Sequence, residues 1–196
     1  MKKITLIFLF YFVQYLNLSS NEIKLEEIIK DLNNPWSLSF MTDENILVTE
    51  KSGGLFNINL TNKKINKFTH NLNILEDGQG GMLEVLFNNN EIFVSYSENR
   101  GGGKSSTSVA KASINNGDLN FKNIFRAEPP INSGYHFGSR LVIKDDYLYI
   151  TAGERGKGMI AQDATKHPGS IIRIHLDGSI PVNNPKFVNK KNWLPE

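Results

Sequence analysis

The sequence predicts an all-β chain folded as a β-propeller, about three blades of an incomplete ring. Three observations carry this. A strand–turn–strand unit recurs three times, with Ile46, Ile92 and Leu148 in equivalent places roughly 50 residues apart, and a period of that size built from short strands marks a propeller. No stretch keeps a helical apolar period over a useful length. The segments between units are rich in Gly, Asn, Ser and Pro, as turns require.

The first unit is Trp36–Phe40, a turn at Thr42–Asn45, then Ile46–Thr49. The second is Met82–Phe87, a turn at Asn88–Asn90, then Ile92–Tyr96. The third is Arg140–Ile143, a turn at Asp145–Asp146, then Tyr147–Thr151. Each leads to a further alternating run: Leu55–Leu60, Ser108–Ile114 and Ser170–Leu176. Fourth strands are expected at Ile65–Thr69 and Phe121–Phe125. Ahead of the first unit, Asn21–Asp31 reads as an outer strand, with a short helix as the alternative. Closed propellers have about four to eight blades. Three units therefore leave an open edge, which invites aggregation. The expectation is a fragment of a longer chain, with blades supplied by another chain as the alternative.

A hydrophobic content of 39% and a charged content of 21% are globular rather than disordered composition. The net charge of +2 is too small to argue for nucleic acid. With no cysteine, disulfides, thiolate metal sites and thiol nucleophiles are excluded. Residues 1–20 read as a secretory signal peptide: basic Lys2-Lys3, the apolar run Ile4–Leu16, then small residues at Ser19-Ser20. The run is short of the roughly 20 apolar residues a spanning helix needs. An uncleaved anchor stays as the alternative. The expectation is a periplasmic or secreted protein without stable membrane insertion after cleavage.

Chemistry is expected at the ends of the third hairpin, Tyr135–Gly156. His136 enters it; Glu154 and Arg155 leave it between Gly153 and Gly156. A hairpin brings entry and exit together, so an imidazole, a carboxylate and a guanidinium should meet at one rim. Loops at a sheet end commonly carry function. Histidine is the natural general base near neutral pH, although a lone histidine is more often structural. Gln79, in Asp77-Gly78-Gln79-Gly80-Gly81, precedes the second hairpin in the place equivalent to His136. Its glycines allow close backbone approach, and a plain turn is the bland alternative. Glu154 and Arg155 read alternatively as a surface ion pair, and Arg140 as a buried structural cation. Asp163 and His167 are too few to make a metal site.

Taken in order, NPWSLSF, ENILVTEKSG, GQGGMLEV, HFGSRLV, YLYITAGERG, AQD and HPGSIIRIHLDGSIPVNNP resemble successive landmarks of the soluble quinoprotein glucose dehydrogenases, nearest the aldose sugar dehydrogenases of the glucose/sorbosone dehydrogenase family. The resemblance runs from about Leu32 to Glu196. It implies a six-bladed propeller, of which residues 21–196 are the N-terminal portion. It implies oxidation of the C1 hydroxyl of an aldose to a lactone with pyrroloquinoline quinone (PQQ). In that scheme His136 is the base, Glu154 orients it, and Gln79 contacts sugar or quinone. Tyr135, Arg140 and Arg155 are further substrate- or cofactor-binding candidates. Tyr135 replaces an Asp of the best-known glucose dehydrogenases, so no glucose preference carries over. Most calcium ligands and quinone-binding cations are expected beyond residue 196, so this chain alone is expected not to bind the quinone productively. A small sugar is the expected partner, and the full-length form is compatible with a homodimer. A non-enzymatic propeller binding sugar or protein is the alternative, and a hydrolase finds no ligand set here.

Overall fold

A computed structural model describes residues 23–114 and 118–185; the signal peptide expected at 1–20 lies outside the described residues. Three antiparallel blades follow one another. Blade 1 holds β1 (Pro35–Phe40), β2 (Asn45–Glu50), β3 (Leu55–Asn59) and β4 (Ile65–Lys67), paired in that order. After the short β5 (Thr69–His70), blade 2 holds β6 (Met82–Asn88), β7 (Glu91–Asn99) and β8 (Ser105–Ser113). The short β9 (Asp118–Leu119) pairs in parallel with β5, and β10 (Lys122–Arg126) completes blade 2. Among the described residues blade 3 has three strands, β11 (Gly138–Lys144), β12 (Tyr147–Ala152) and β13 (Ser170–His175). Among the described residues the helical content is one 3-10 turn, Gly158–Gln162, and no helix is long and apolar enough to cross a membrane. The chain is an all-β, open arc of a propeller.

One expectation fails. The described part of the Asn21–Asp31 stretch, residues 23–31, forms no strand. Its apolar residues do not alternate cleanly, so they present no single face to a sheet. Ile29, with Leu32 just beyond it, instead caps Ile46, Val48 and Ile58 on the outer side of blade 1.

The blades pack face to face. Leu47, Met82, Val85, Ile92 and Val94 fill the space between blades 1 and 2. Phe93, Val109, Leu141, Leu148, Ile150 and Ile174 fill that between blades 2 and 3. Ile46, Ile92 and Leu148, the sequence markers of the repeat, are all buried. Burial of this apolar surface is the main force joining the blades.

A polar device is repeated within the apolar joints. Each innermost strand carries a bulge, around Trp36, Leu83–Glu84 and Ser139–Arg140. Opposite each bulge the second strand places a hydroxyl: Thr49, Ser95 and Thr151. It accepts the bulge amide of Ser37 (3.2 Å), Glu84 (3.0 Å) or Arg140 (2.9 Å). The same hydroxyl then donates to the next blade. Thr49 reaches the Leu83 carbonyl at 2.7 Å, and Ser95 reaches the Ser139 carbonyl at 2.6 Å. A bulge frees backbone groups from the ladder, and buried groups need partners. The hydroxyl serves both sides of the joint.

Candidate functional site

His136 lies just before β11 with φ of 49°, the left-handed region that is uncommon for a residue with a side chain. Glu154 lies just after β12. Gly138 pairs with Ala152, so hairpin entry and exit meet. Gly153 is needed there: a Cβ at this position would overlap the His136 carbonyl.

His136 Nδ1 and Glu154 Oε1 are hydrogen-bonded. The Gly156 amide also donates to Glu154 Oε1, at 3.1 Å. The bond from His136 holds the Glu154 carboxyl below its ordinary pKa; partial burial opposes this and the backbone amides of Glu154 and Gly156 assist. An ionised carboxylate only accepts, so Nδ1 is the donor, and in the neutral imidazole the lone pair is then on Nε2. The His136 side chain is 55% exposed, which leaves Nε2 open to a ligand.

Gln79 joins this group from the preceding loop. Its Oε1 accepts the backbone N–H of His136 at 2.8 Å, and its own N–H donates to the Gly134 carbonyl at 2.7 Å. Gly78, at φ of 54°, lies directly against Gly134, and a Cβ there would overlap the Gly134 carbonyl. Two loops are stitched together at glycines. Among the described residues nothing engages Gln79 Nε2, so two N–H donors remain at the rim. The exposed Tyr135 ring lies 6.2 Å from the His136 ring, at a tilt.

Arg155 corrects the expected meeting of three charged groups. Its guanidinium turns inward and the residue is 2% exposed. Nε donates to the Tyr135 carbonyl (2.9 Å), Nη1 to the Ser105 carbonyl (3.0 Å) and Nη2 to Ser105 Oγ (2.9 Å) and the Ser133 carbonyl. Cζ sits 3.6 Å from the centre of the Phe137 ring. Burial lowers its pKa to about 10, with Asp77 opposing, so it stays charged at neutral pH. Arg155 holds the backbone under His136 and is not free to bind a ligand. It lies past the end of β12, in a turn with φ of 60°, where the alternation of a strand no longer sets the side-chain direction.

Arg140 is exposed, which removes the alternative of a buried structural cation, and its guanidinium pairs with Glu84. Glu84 and Arg140, with Pro35, Trp36, Gly138 and Ser139, line a cavity of about 280 Å³ between the innermost strands of all three blades. Glu84 and Trp36 went unnoticed in the sequence. So did the hydroxyls of Thr49, Ser95 and Thr151, although each lies three residues after a repeat marker and an alignment of the three units exposes them.

Asp163 and His167 do not form a metal pair. Asp163 is held by Thr165 and Lys166. His167 is buried, and its Nδ1 accepts the Glu128 amide at 2.9 Å. Among the described residues no group of three or more His, Asp or Glu could share a metal ion. Burial lowers the His167 pKa, with Glu128 opposing. A depressed histidine contributes stability above its unfolded pKa of about 6.5. That contribution is lost as pH falls toward the folded value, because the unfolded chain takes the proton first. The melting temperature should therefore fall by a few degrees between about pH 7 and about pH 5. His167→Asn, which keeps an acceptor for the Glu128 amide, should flatten that fall.

Fold and site together define a propeller arc with an imidazole–carboxylate pair and a neighbouring amide at the end of one hairpin. The Glucose / Sorbosone dehydrogenase family model matches residues 32–196, and the chain belongs to this family. It is 33% identical over 171 residues to the aldose sugar dehydrogenase YliI of Escherichia coli, covering 81% of this chain and 46% of the relative. It is 26% identical over 213 residues to quinoprotein glucose dehydrogenase B of Acinetobacter calcoaceticus, covering 89% of this chain and 44% of the relative. A glucose dehydrogenase crystal structure superposes with a TM-score of 0.77 at 31% identity, over 82% of this chain and 49% of that one. The chain spans about half the length of the relatives it matches.

Proposed function

We propose that this chain is the proton-handling half of an exported, quinone-dependent aldose dehydrogenase. The observation that carries the reading is the His136–Glu154 pair, with the His136 side chain 55% exposed. A binding module has no need of an imidazole whose tautomer is fixed by a carboxylate. His136 Nε2 takes the proton of the sugar C1 hydroxyl. The O–H electron pair then forms the C=O bond of the lactone as hydride leaves C1. Glu154 holds the imidazolium that results, a stabilisation that a desolvated site strengthens. Gln79 Nε2 and Tyr135 are placed to meet sugar hydroxyls.

PQQ, the cofactor implied by the family, would supply the hydride acceptor when bound. The residues described fit the base but not the anchoring of such a tricarboxylate. Several cations are needed to offset its charge. Arg155 is buried and fully engaged, and Arg140 is held by Glu84. Calcium likewise finds no cluster among the described residues.

The test is reconstitution with PQQ, Ca²⁺ and an aldose. The purified chain alone should give no dye reduction. Complemented by the second half of the Escherichia coli relative, it should reduce dye in a sugar- and quinone-dependent way. Silence of the complemented, folded ring overturns the enzymatic reading in favour of a binding propeller.

A further inference from the structure

The loop between β12 and β13, residues 153–169, returns to its start. Ala152 pairs with Ser170, and the Gly169 amide donates to the Ala152 carbonyl at 2.8 Å. Between these ends none of residues 156–166 is buried. Among the described residues their hydrogen bonds stay inside the loop: Lys157 donates to Glu154, Ile160 to Lys157, Asp163 to Ile160 and Lys166 to Asp163. Ala161 rests on Gly169 at the loop's own exit, so closely that a Cβ on the glycine would overlap it. A surface loop whose ends meet and which packs on itself resembles an Ω-loop, a form that frequently serves function. Its near end lies at the rim, where Gly156 sits against the Tyr135 side chain and donates to Glu154.

Two buried side chains fasten this loop. Arg155 holds the near end through Ser105, Ser133 and Tyr135. His167 holds the far end. Its amide donates to the Glu128 carbonyl at 3.0 Å, and its Nδ1 accepts the Glu128 amide at 2.9 Å. Glu128 is itself fixed, since its carboxylate accepts Arg100 Nη2 at 2.7 Å while Arg100 Nη1 donates to Ser106 Oγ at 3.1 Å. The Phe125 ring meets the imidazole at right angles or nearly so.

The two fasteners differ in one respect. Arg155 stays charged throughout the neutral and acid range. An imidazole nitrogen that accepts an amide must carry no proton, and protonation there sets one donor against another. Among the described residues the charged groups around His167 are Glu128, paired with Arg100, and Lys166, paired with Asp163. Both carboxylates are thus already engaged by a cation.

We propose that residues 156–166 are a lid at this rim and that His167 is its latch, closed while the imidazole is neutral and released when it takes a proton. Opening lets the ring titrate near its ordinary value of about 6.5. Acid therefore draws the loop open, and the open fraction rises by about tenfold between about pH 7.5 and about pH 5.5. Blades 2 and 3 stay joined by the apolar core between them. This proposal does not rest on the enzymatic reading.

Amide hydrogen exchange of the full chain, corrected for the intrinsic rate at each pH, tests it. The amides of Glu128, His167 and Gly169 report the latch, and those of Val94 and Ile150 report the central strands. The latch amides should exchange through an opening at least about tenfold more populated than that of the central strands, and nearly indifferent to low denaturant, as a local opening is. Their protection should fall by about tenfold between about pH 7.5 and about pH 5.5. His167→Asn offers Oδ1 to the Glu128 amide and does not titrate, so its latch amides should lose that pH dependence. Latch amides that share the protection and denaturant slope of the central strands overturn the proposal. So does latch protection indifferent to pH, or a folded His167→Asn that keeps the parent's pH dependence. The parent decides alone if the variant does not fold.

Discussion

In a ring completed by the second half of the Escherichia coli relative, His136→Ala is expected to lower kcat for aldose oxidation by about 10²–10⁴-fold, the usual contribution of a positioned general base. KM should change little, because the imidazole handles a proton rather than anchoring the sugar. The variant keeps the backbone anchors of this loop. Gln79 holds the His136 amide, and Arg155 holds the neighbouring Tyr135 carbonyl, through main-chain groups that survive truncation of the ring. A folded variant with undiminished kcat would remove His136 from the reaction and leave the Glu154 contact as structural.

Arg155→Met should destabilise the chain by about 3–5 kcal/mol, the range for breaking a buried, hydrogen-bonded charge network. Methionine fills much of the volume over Phe137 but leaves the Ser133 and Tyr135 carbonyls and Ser105 Oγ without their donor, while the Ser105 carbonyl keeps the Ile131 amide. Each orphaned buried acceptor costs about 1–3 kcal/mol. Arg155→Lys should recover little of this, since an ammonium cannot span three carbonyls in a plane. Denaturant unfolding measures the loss. Because the lost contacts lie under His136, the ring proton signals of His136 should also broaden or shift below the unfolding midpoint. A variant as stable as the parent would mean that the guanidinium is a bystander.

The strands were legible because each repeat alternates over short runs bounded by turn residues. Every recurring strand unit of the sequence appears in the fold, and the hairpin argument put His136 and Glu154 at one rim. Three features were not legible. Arg155 follows Glu154 directly, and the carbonyls and ring that draw its side chain inward come from distant segments of the chain. Arg140 was read alone because its partner, Glu84, comes from a different blade. Residues 23–31 carry strand-forming isoleucines without a partner edge, so tertiary packing of Ile29 and Leu32 decides their course. The roles of Gln79, Tyr135, His136 and Glu154 rest on chemistry at the rim and on the experiments above.

The hydroxyl that bridges neighbouring blades has a direction: it always gives toward the C-terminal side and never back. A ring assembled this way has a handed circulation, like a one-way street bent into a circle. Both junctions within the arc are chemically the same. What a piece must preserve is its sense of travel and its two unlike ends.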